Sequence, residues 1–174
     1  GKPELATLRW GLIPSWAEDL KKLPLLINAK SETAATKPSF RSAFKRRRCL
    51  VLADGYYEWE KIGKQKLPWY HRLKDERPFA FAGLWERCEK GEKPVESCTI
   101  LTTDANDVAA SVHDRMPVIL RRDVRRVWLD PDIEDVAVLQ ELLRPFPADE
   151  MTAYRVSPIV NKAGNEGAQC IAPM

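Results

Sequence analysis

The sequence has few of the features that mark membrane, secreted or metal-built proteins. No apolar run approaches the ~18 residues that a membrane-spanning helix needs, and no charged-then-apolar leader opens the chain. A cytoplasmic protein is therefore expected, with no membrane partner. Cysteine is scarce, with four residues at 49, 88, 98 and 170 and no CxxC pair among them. That spacing offers no zinc site, so no metal and no cofactor are expected. A disulfide framework belongs to small secreted domains that lack a core, and a chain of 174 residues can bury roughly 70% of its unfolded surface. Cys49 and Cys98 sit in apolar stretches and read as small hydrophobes. There is no internal repeat and no low-complexity linker, so residues 1–174 read as a single domain, with a monomer expected.

What is present is an ordinary globular composition with a skewed charge. Hydrophobic residues make up 44% and charged residues 30%, which excludes a disordered chain. The net charge is only +3, yet residues 1–50 hold 11 Lys and Arg against 4 Asp and Glu. The remainder holds 17 against 21, so a basic first third is joined to a slightly acidic body. Such a segment is either a surface facing a polyanion or a solvated charged face. Its densest run is Lys45-Arg46-Arg47-Arg48.

Patterning predicts strands over 6–13, 25–28, 49–53, 56–60, 69–73, 79–87, 97–103 and 151–156. Asp54-Gly55 is a turn, Gly63 breaks the strand after it, and Gly91 falls in the loop after residue 87. Short helices are predicted from Ser31, over 38–44, over 105–112 with Asp104 as N-cap, over 122–129 and over 133–143. The tail from Ser157 reads as irregular. Many short strands with a few short helices, not strictly alternating, indicate an α+β fold with a strongly curved, barrel-like, mostly antiparallel sheet.

Three residues stand out as candidates for chemistry. His113 lies in Val112-His113-Asp114-Arg115-Met116-Pro117, where a helix ends and Pro117 forbids its continuation. Beside an acid and a base it is either an acid/base group or a helix cap. Glu58 lies among aromatics in Tyr56-Tyr57-Glu58-Trp59. Desolvation there would favour a protonated carboxyl able to act as an acid. Alternation along the strand leaves open whether it faces solvent. Asn28 ends the run Leu25-Leu26-Ile27-Asn28 and either holds a polar group of a substrate or satisfies backbone. The other histidine, His71, sits mid-strand and reads as structural. Aromatic and basic residues interleave through Trp10, Trp16, Lys30, Lys37 and Arg41, as in proteins that grip single-stranded nucleic acid. Trp10, inside a strand, is expected in the core, and Trp16, in a loop, is the better stacking candidate.

Taken in order, five segments resemble the SOS-response-associated peptidase (SRAP) family. They are Arg9-Trp10-Gly11-Leu12-Ile13-Pro14-Ser15-Trp16, the stretch from Ile27 to Thr33, the stretch from Arg48 to Trp59, His113-Asp114-Arg115-Met116-Pro117, and Val156-Ser157-Pro158-Ile159-Val160-Asn161. The resemblance implies a covalent link to abasic sites in single-stranded DNA, made by an N-terminal Cys exposed by Met removal or autoproteolysis. The α-amine forms a Schiff base and the thiol closes a thiazolidine. It also implies roles for particular residues. Asn28 positions the cysteine or sugar, Glu58 transfers protons and releases any leader, and His113 assists ring opening and imine chemistry. Trp16, Lys30, Thr103 and Arg115 are implied to contact DNA, Lys30 standing where an arginine often does, and Lys37 and Arg41 are expected to contact it from the interleaved basic and aromatic pattern. A bacterial member would be nucleoid-associated. The family opens with Met-Cys-Gly-Arg, whereas this sequence opens at Gly1, so crosslinking is not expected of it as written. Two alternatives are a non-catalytic single-strand binder and a cysteine-type peptidase acting on proteins.

Overall fold

The computed structural model describes residues 3–18, 23–90 and 92–174. In chain order its elements are β1 (Arg9–Trp10), β2 (Asn28–Lys30), α1 (Ser31–Ala34), α2 (Arg41–Arg46), β3 (Arg48–Ala53), β4 (Tyr56–Ile62), β5 (Gln65–Leu73) and β6 (Phe79–Cys88). There follow β7 (Val95–Asp104), α3 (Asp107–Ala110), β8 (Arg115–Pro117), α4 (Arg125–Leu129), α5 (Val136–Glu141) and β9 (Met151–Arg155), with single 3-10 turns between them. The fold is α+β, with one curled, mixed sheet, a second small sheet and few short helices. The chain divides into two compact units interleaved in sequence. One contains Gly1–Val51, Ala80–Thr103 and Pro117–Arg144, and the other contains Leu52–Phe79, Asp104–Met116 and Pro145–Met174.

In the first unit, β7 pairs antiparallel with β6 and parallel with the short β1 and β2, Asn28 standing opposite Ile100 and Lys30 opposite Thr102. β3 lies beyond β6. Helices pack on this sheet through Phe40, Phe44, Leu84, Leu101, Trp128 and Leu139, all buried. Phe44 and Trp128 meet edge to face at 5.9 Å, and the Trp128 indole N–H donates to the Cys49 carbonyl at 3.0 Å. Gly83 leaves the space that Cys49 Sγ and Val51 fill, since a Cβ there would lie 2.8 Å from the sulfur.

The basic run is divided, with Lys45 and Arg46 exposed, Arg47 half-buried and Arg48 turned into the interior. Arg48 is buried, and its guanidinium donates to the carbonyls of Trp128 at 2.6 Å, Phe44 at 2.9 Å and Ile133 at 3.0 Å, as well as to those of Lys45 and Asp130. Several of these are the orphan carbonyls at the ends of α2 and α4, where a cation is favoured. Arg47 reaches Ser42 Oγ at 2.9 Å and Glu86 at 2.7 Å, and Arg46 pairs with Glu134.

The second unit is organised by the antiparallel sheet β4–β5–β9. Gly55 lies under the Tyr70 ring, 2.2 Å from where its Cβ would be, so only glycine fits this turn. Gly63 and Lys64 close the β4–β5 hairpin, leaving Ile62 opposite Gln65. Gly63 has φ 60 and Lys64 is not left-handed, the pattern of a type II′ turn with glycine first.

Several expectations shift. β1 is only two residues long, because Gly11 at φ 114 turns the chain out of the extended form expected over 6–13. Trp10 is exposed rather than core, its indole N–H donating to the Ile27 carbonyl, while Leu12 takes the buried place. The cap of α3 is Asn106, which accepts from the Ala109 amide, whereas Asp104 pairs with Arg115. Asp135 caps α5, so that helix starts later than Ile133. Gly91 lies outside the described residues.

Replacing Arg48 by Met should remove a charged donor from each of its carbonyl acceptors, of which the Asp130 carbonyl keeps the Ile133 amide. We expect a loss of about 3–5 kcal/mol in urea unfolding. A loss below about 1 kcal/mol would show that water or neighbouring donors take over the role.

Candidate functional site

The second unit carries a cleft of about 570 Å³ lined by Glu58, Trp59, Lys61, Lys66, His113 and Asn161. Its floor is built on β4, which pairs only with β5 among the described residues and so leaves one edge open. Trp59 stands opposite Pro68, which has no N–H to give. The Trp59 amide points away from β5 and donates instead to Glu58 Oε1 at 3.1 Å. The carboxylate is thereby held beside the open edge by its own strand.

Glu58 shares a strand face with Tyr56. Burial pushes the Tyr56 phenol up from its ordinary value, and the Glu58 carboxylate adds to that shift. The Tyr56 ring stacks on the fully buried His71 at 4.7 Å and 11°. On the other face, the Trp59 indole donates to Asn161 Oδ1 at 2.7 Å and lies beside Tyr57 at 6.3 Å. The indole that walls the cleft is thus fixed in rotation.

His113 reaches the same cleft from the loop after α3. Its amide donates to the Ala109 carbonyl at 3.0 Å, continuing the last turn of the helix, and Ala105 N–H donates to Asp114 O at 3.0 Å across the loop. His113 Nδ1 accepts from the Arg115 amide at 3.0 Å and lies 3.0 Å from Asp114 Oδ1. The neutral ring therefore uses the amide and carries its proton on Nε2, whereas the protonated ring can donate from Nδ1 to the Asp114 carboxylate. Partners for both protonation states are in place, which suits a group that gives and takes a proton.

The remaining expected residues belong to different surroundings. Asn28 is exposed at the start of β2, and Lys30 is exposed at its end. Lys37 and Arg41 are exposed around the start of α2, and Arg41 lines a second cleft with Ser42 and Lys45. Trp16 is exposed, with its indole N–H 3.4 Å from the Pro38 carbonyl. Thr103 is buried within β7, and Arg115 is half-buried and bonded to Asp104 at 2.8 Å. Sequence reasoning missed Trp59, Lys61, Lys66 and Asn161 as cleft residues. The Gly-Lys turn was the available signal, because it sets which residues of β4 and β5 face each other. The cysteines are all free, and burial pushes the Cys49 thiol up to about 12, which keeps it protonated. Among the described residues, no group of three or more His, Cys, Asp and Glu is placed to hold a metal ion, and no helix is long and apolar enough to cross a membrane.

With this geometry in view, comparison with known proteins gives a consistent result. The profile of the SOS response associated peptidase (SRAP) family matches residues 1–163. The chain is similar to abasic site processing protein YoqW of Bacillus subtilis (strain 168), with 46% identity over 169 residues, covering 96% of this chain and 75% of that protein. It is 31% identical over 167 residues to abasic site processing protein YedK of Escherichia coli (strain K12), covering 95% and 73%. A crystal structure of a protein from Bacteroides thetaiotaomicron superposes with a TM-score of 0.84 at 32% identity, covering 96% of this chain and 76% of that one.

The buried wall behind Glu58 generates a pH prediction. Burial lowers His71 from 6.5 to about 4, and neither ring nitrogen has a hydrogen-bond partner. Below pH 6.5 the unfolded chain binds a proton that the folded one refuses. Stability should therefore fall as pH drops from 6.5 to about 4, by roughly 3 kcal/mol in total. Denaturant titrations of the wild type and His71→Phe should differ in slope across this window and run parallel above it. Equal slopes within it would mean that His71 is readily protonated in the folded state.

Proposed function

The chain belongs to the SOS response associated peptidase (SRAP) family, and from that premise we propose that it recognises abasic sites in single-stranded DNA, with Glu58 and His113 as its acid/base groups. The observation that carries this reading is that these two residues, far apart in sequence, line one cleft. The relatives named as abasic site processing proteins support the lesion as substrate. The exposed cations Lys30, Lys37 and Arg41 and the exposed ring of Trp16 suit a single strand, through phosphates and base faces respectively.

The covalent step follows from ordinary carbonyl chemistry. An abasic sugar in its open form presents an aldehyde at C1′. The α-amine of an N-terminal Cys, with a pKa of about 7.7–8, is partly neutral near pH 7 and attacks that carbon. Loss of water gives an imine, and the thiol then adds across the C=N bond. Sulfur bonds to carbon and the thiol proton passes to nitrogen, which closes the thiazolidine. His113 gives and takes protons in sugar opening, Glu58 serves the dehydration step, and Asn28 positions the cysteine or the sugar. The internal cysteines carry no free α-amine, and burial leaves Cys49 and Cys98 further disfavoured as nucleophiles.

A denaturing gel with a single-stranded oligonucleotide holding one abasic site tests the proposal. The chain extended by a Cys-led N-terminal segment of the family should form a covalent band. In that background Glu58→Gln and His113→Ala should each slow its appearance by about 100-fold or more. Affinity for the strand, measured on a reduced abasic analogue, should stay nearly unchanged, because proton transfer acts on the chemical step. Wild-type crosslinking rates in both variants would remove these residues from the chemistry. Tight binding without any covalent band would leave a non-catalytic single-strand binder.

A further inference from the structure

The β4–β5 hairpin places two lysines face to face at the cleft, and neither has been given a role. Register sets Lys61 opposite Lys66, and both line the cleft with Glu58 and His113. In a two-residue hairpin the pair flanking the turn, here Ile62 and Gln65, is hydrogen-bonded. By alternation, Lys61 and Lys66 are a non-hydrogen-bonded pair, whose side chains come closest, with Cα atoms about 4.5 Å apart. Pro68 opposite Trp59, one repeat further along, obeys the same phase.

Like charges directly opposite on a sheet are destabilising. Nothing within the protein relieves this pair, because among the described residues neither lysine makes an ion pair. By contrast, Arg46, Arg47, Arg48 and Arg115 are each engaged with carboxylates or carbonyls. Two unpaired ammonium groups held together beside an acid/base cleft and an anchored indole form a receptor for one anion that bridges them.

We propose that Lys61 and Lys66 form a phosphate clamp that takes a single backbone phosphodiester next to the abasic sugar. This rests on the reading of the cleft as the site for abasic single strands. The clamp sets which sugar of the strand is presented to Glu58 and His113, and ligand binding relieves the repulsion that the free hairpin carries.

The test is a salt-dependent binding titration of oligonucleotides carrying a reduced abasic analogue. It uses the wild type, Lys61→Gln/Lys66→Gln, the charge-keeping Lys61→Arg/Lys66→Arg, and a charge-matched control, Lys90→Gln/Lys93→Gln. Removing the one phosphate contact that the two lysines share should lower the slope of log affinity against log salt by about 0.7. The wild type should then lose about 2.6-fold more affinity than the Gln pair between roughly 50 and 200 mM salt. The control and the Arg pair should keep the wild-type slope. In a second arm, single methylphosphonates are walked along the strand. One position adjoining the lesion should weaken the wild type and leave the Gln pair unaffected. Losses that add independently at every position, or a Gln pair with the wild-type slope, would overturn the clamp. A wild type with no preference for single strands would overturn the functional reading itself, a separate outcome.

Discussion

The register of the β4–β5 hairpin is the constraint on which the candidate site depends. A two-residue turn through Gly63 and Lys64 allows one pairing of β4 with β5. That pairing stacks Tyr56 on His71 and puts Pro68 opposite Trp59, and it brings Lys61 against Lys66. A slip of one residue would exchange the two faces and send the buried aromatic pair into solvent. The register also decides which amides of β4 point to the open edge, and it is one of these that holds the Glu58 carboxylate. Backbone geometry, rather than a separate network of side chains, thus places the acid.

His113 is positioned by a different device. A one-turn helix capped by Asn106 delivers the chain into a loop that is pinned at both ends by backbone hydrogen bonds. Asn106 also donates to the Phe146 carbonyl at 2.6 Å, which ties the cap into the packing of the second unit. The imidazole then has an amide for its neutral form and a carboxylate for its charged form, both at 3.0 Å. The Trp59 indole that walls the cleft carries little freedom of its own and is fixed by Asn161, so it loses little entropy when a ligand enters.

Much of this was legible in the sequence, and the failures have physical causes. The runs after Arg48 and after Glu96 are legible as strands because they are apolar stretches of strand length, and the α+β class follows from them together with the other short strands and helices. The β4–β5 hairpin was only half legible. Pro68 sits within β5, where proline normally argues against a strand, so the beginning of that strand and its pairing with β4 were hidden. Proline is tolerated there because it falls at a pair where β4 asks for no N–H. The run Lys45 to Arg48 looked like surface charge, but carbonyls at and just beyond the end of α4, 80 to 85 residues away, claim Arg48, which no local pattern reveals. Trp10 was misread for the opposite reason, since a turn at Gly11 moved the buried position on to Leu12. Glu58 and His113 were singled out individually. That they share a cleft is a property of tertiary structure, which the sequence suggested only through resemblance.

The most direct test of the central claim is a crystal structure of the protein bound to a single strand with one reduced abasic site. The account predicts the open sugar in the cleft on β4, with C1′ and its oxygen within hydrogen-bond reach of the Glu58 carboxyl or the His113 ring. A sugar bound elsewhere, with the Glu58 and His113 cleft filled only by solvent, would contradict it.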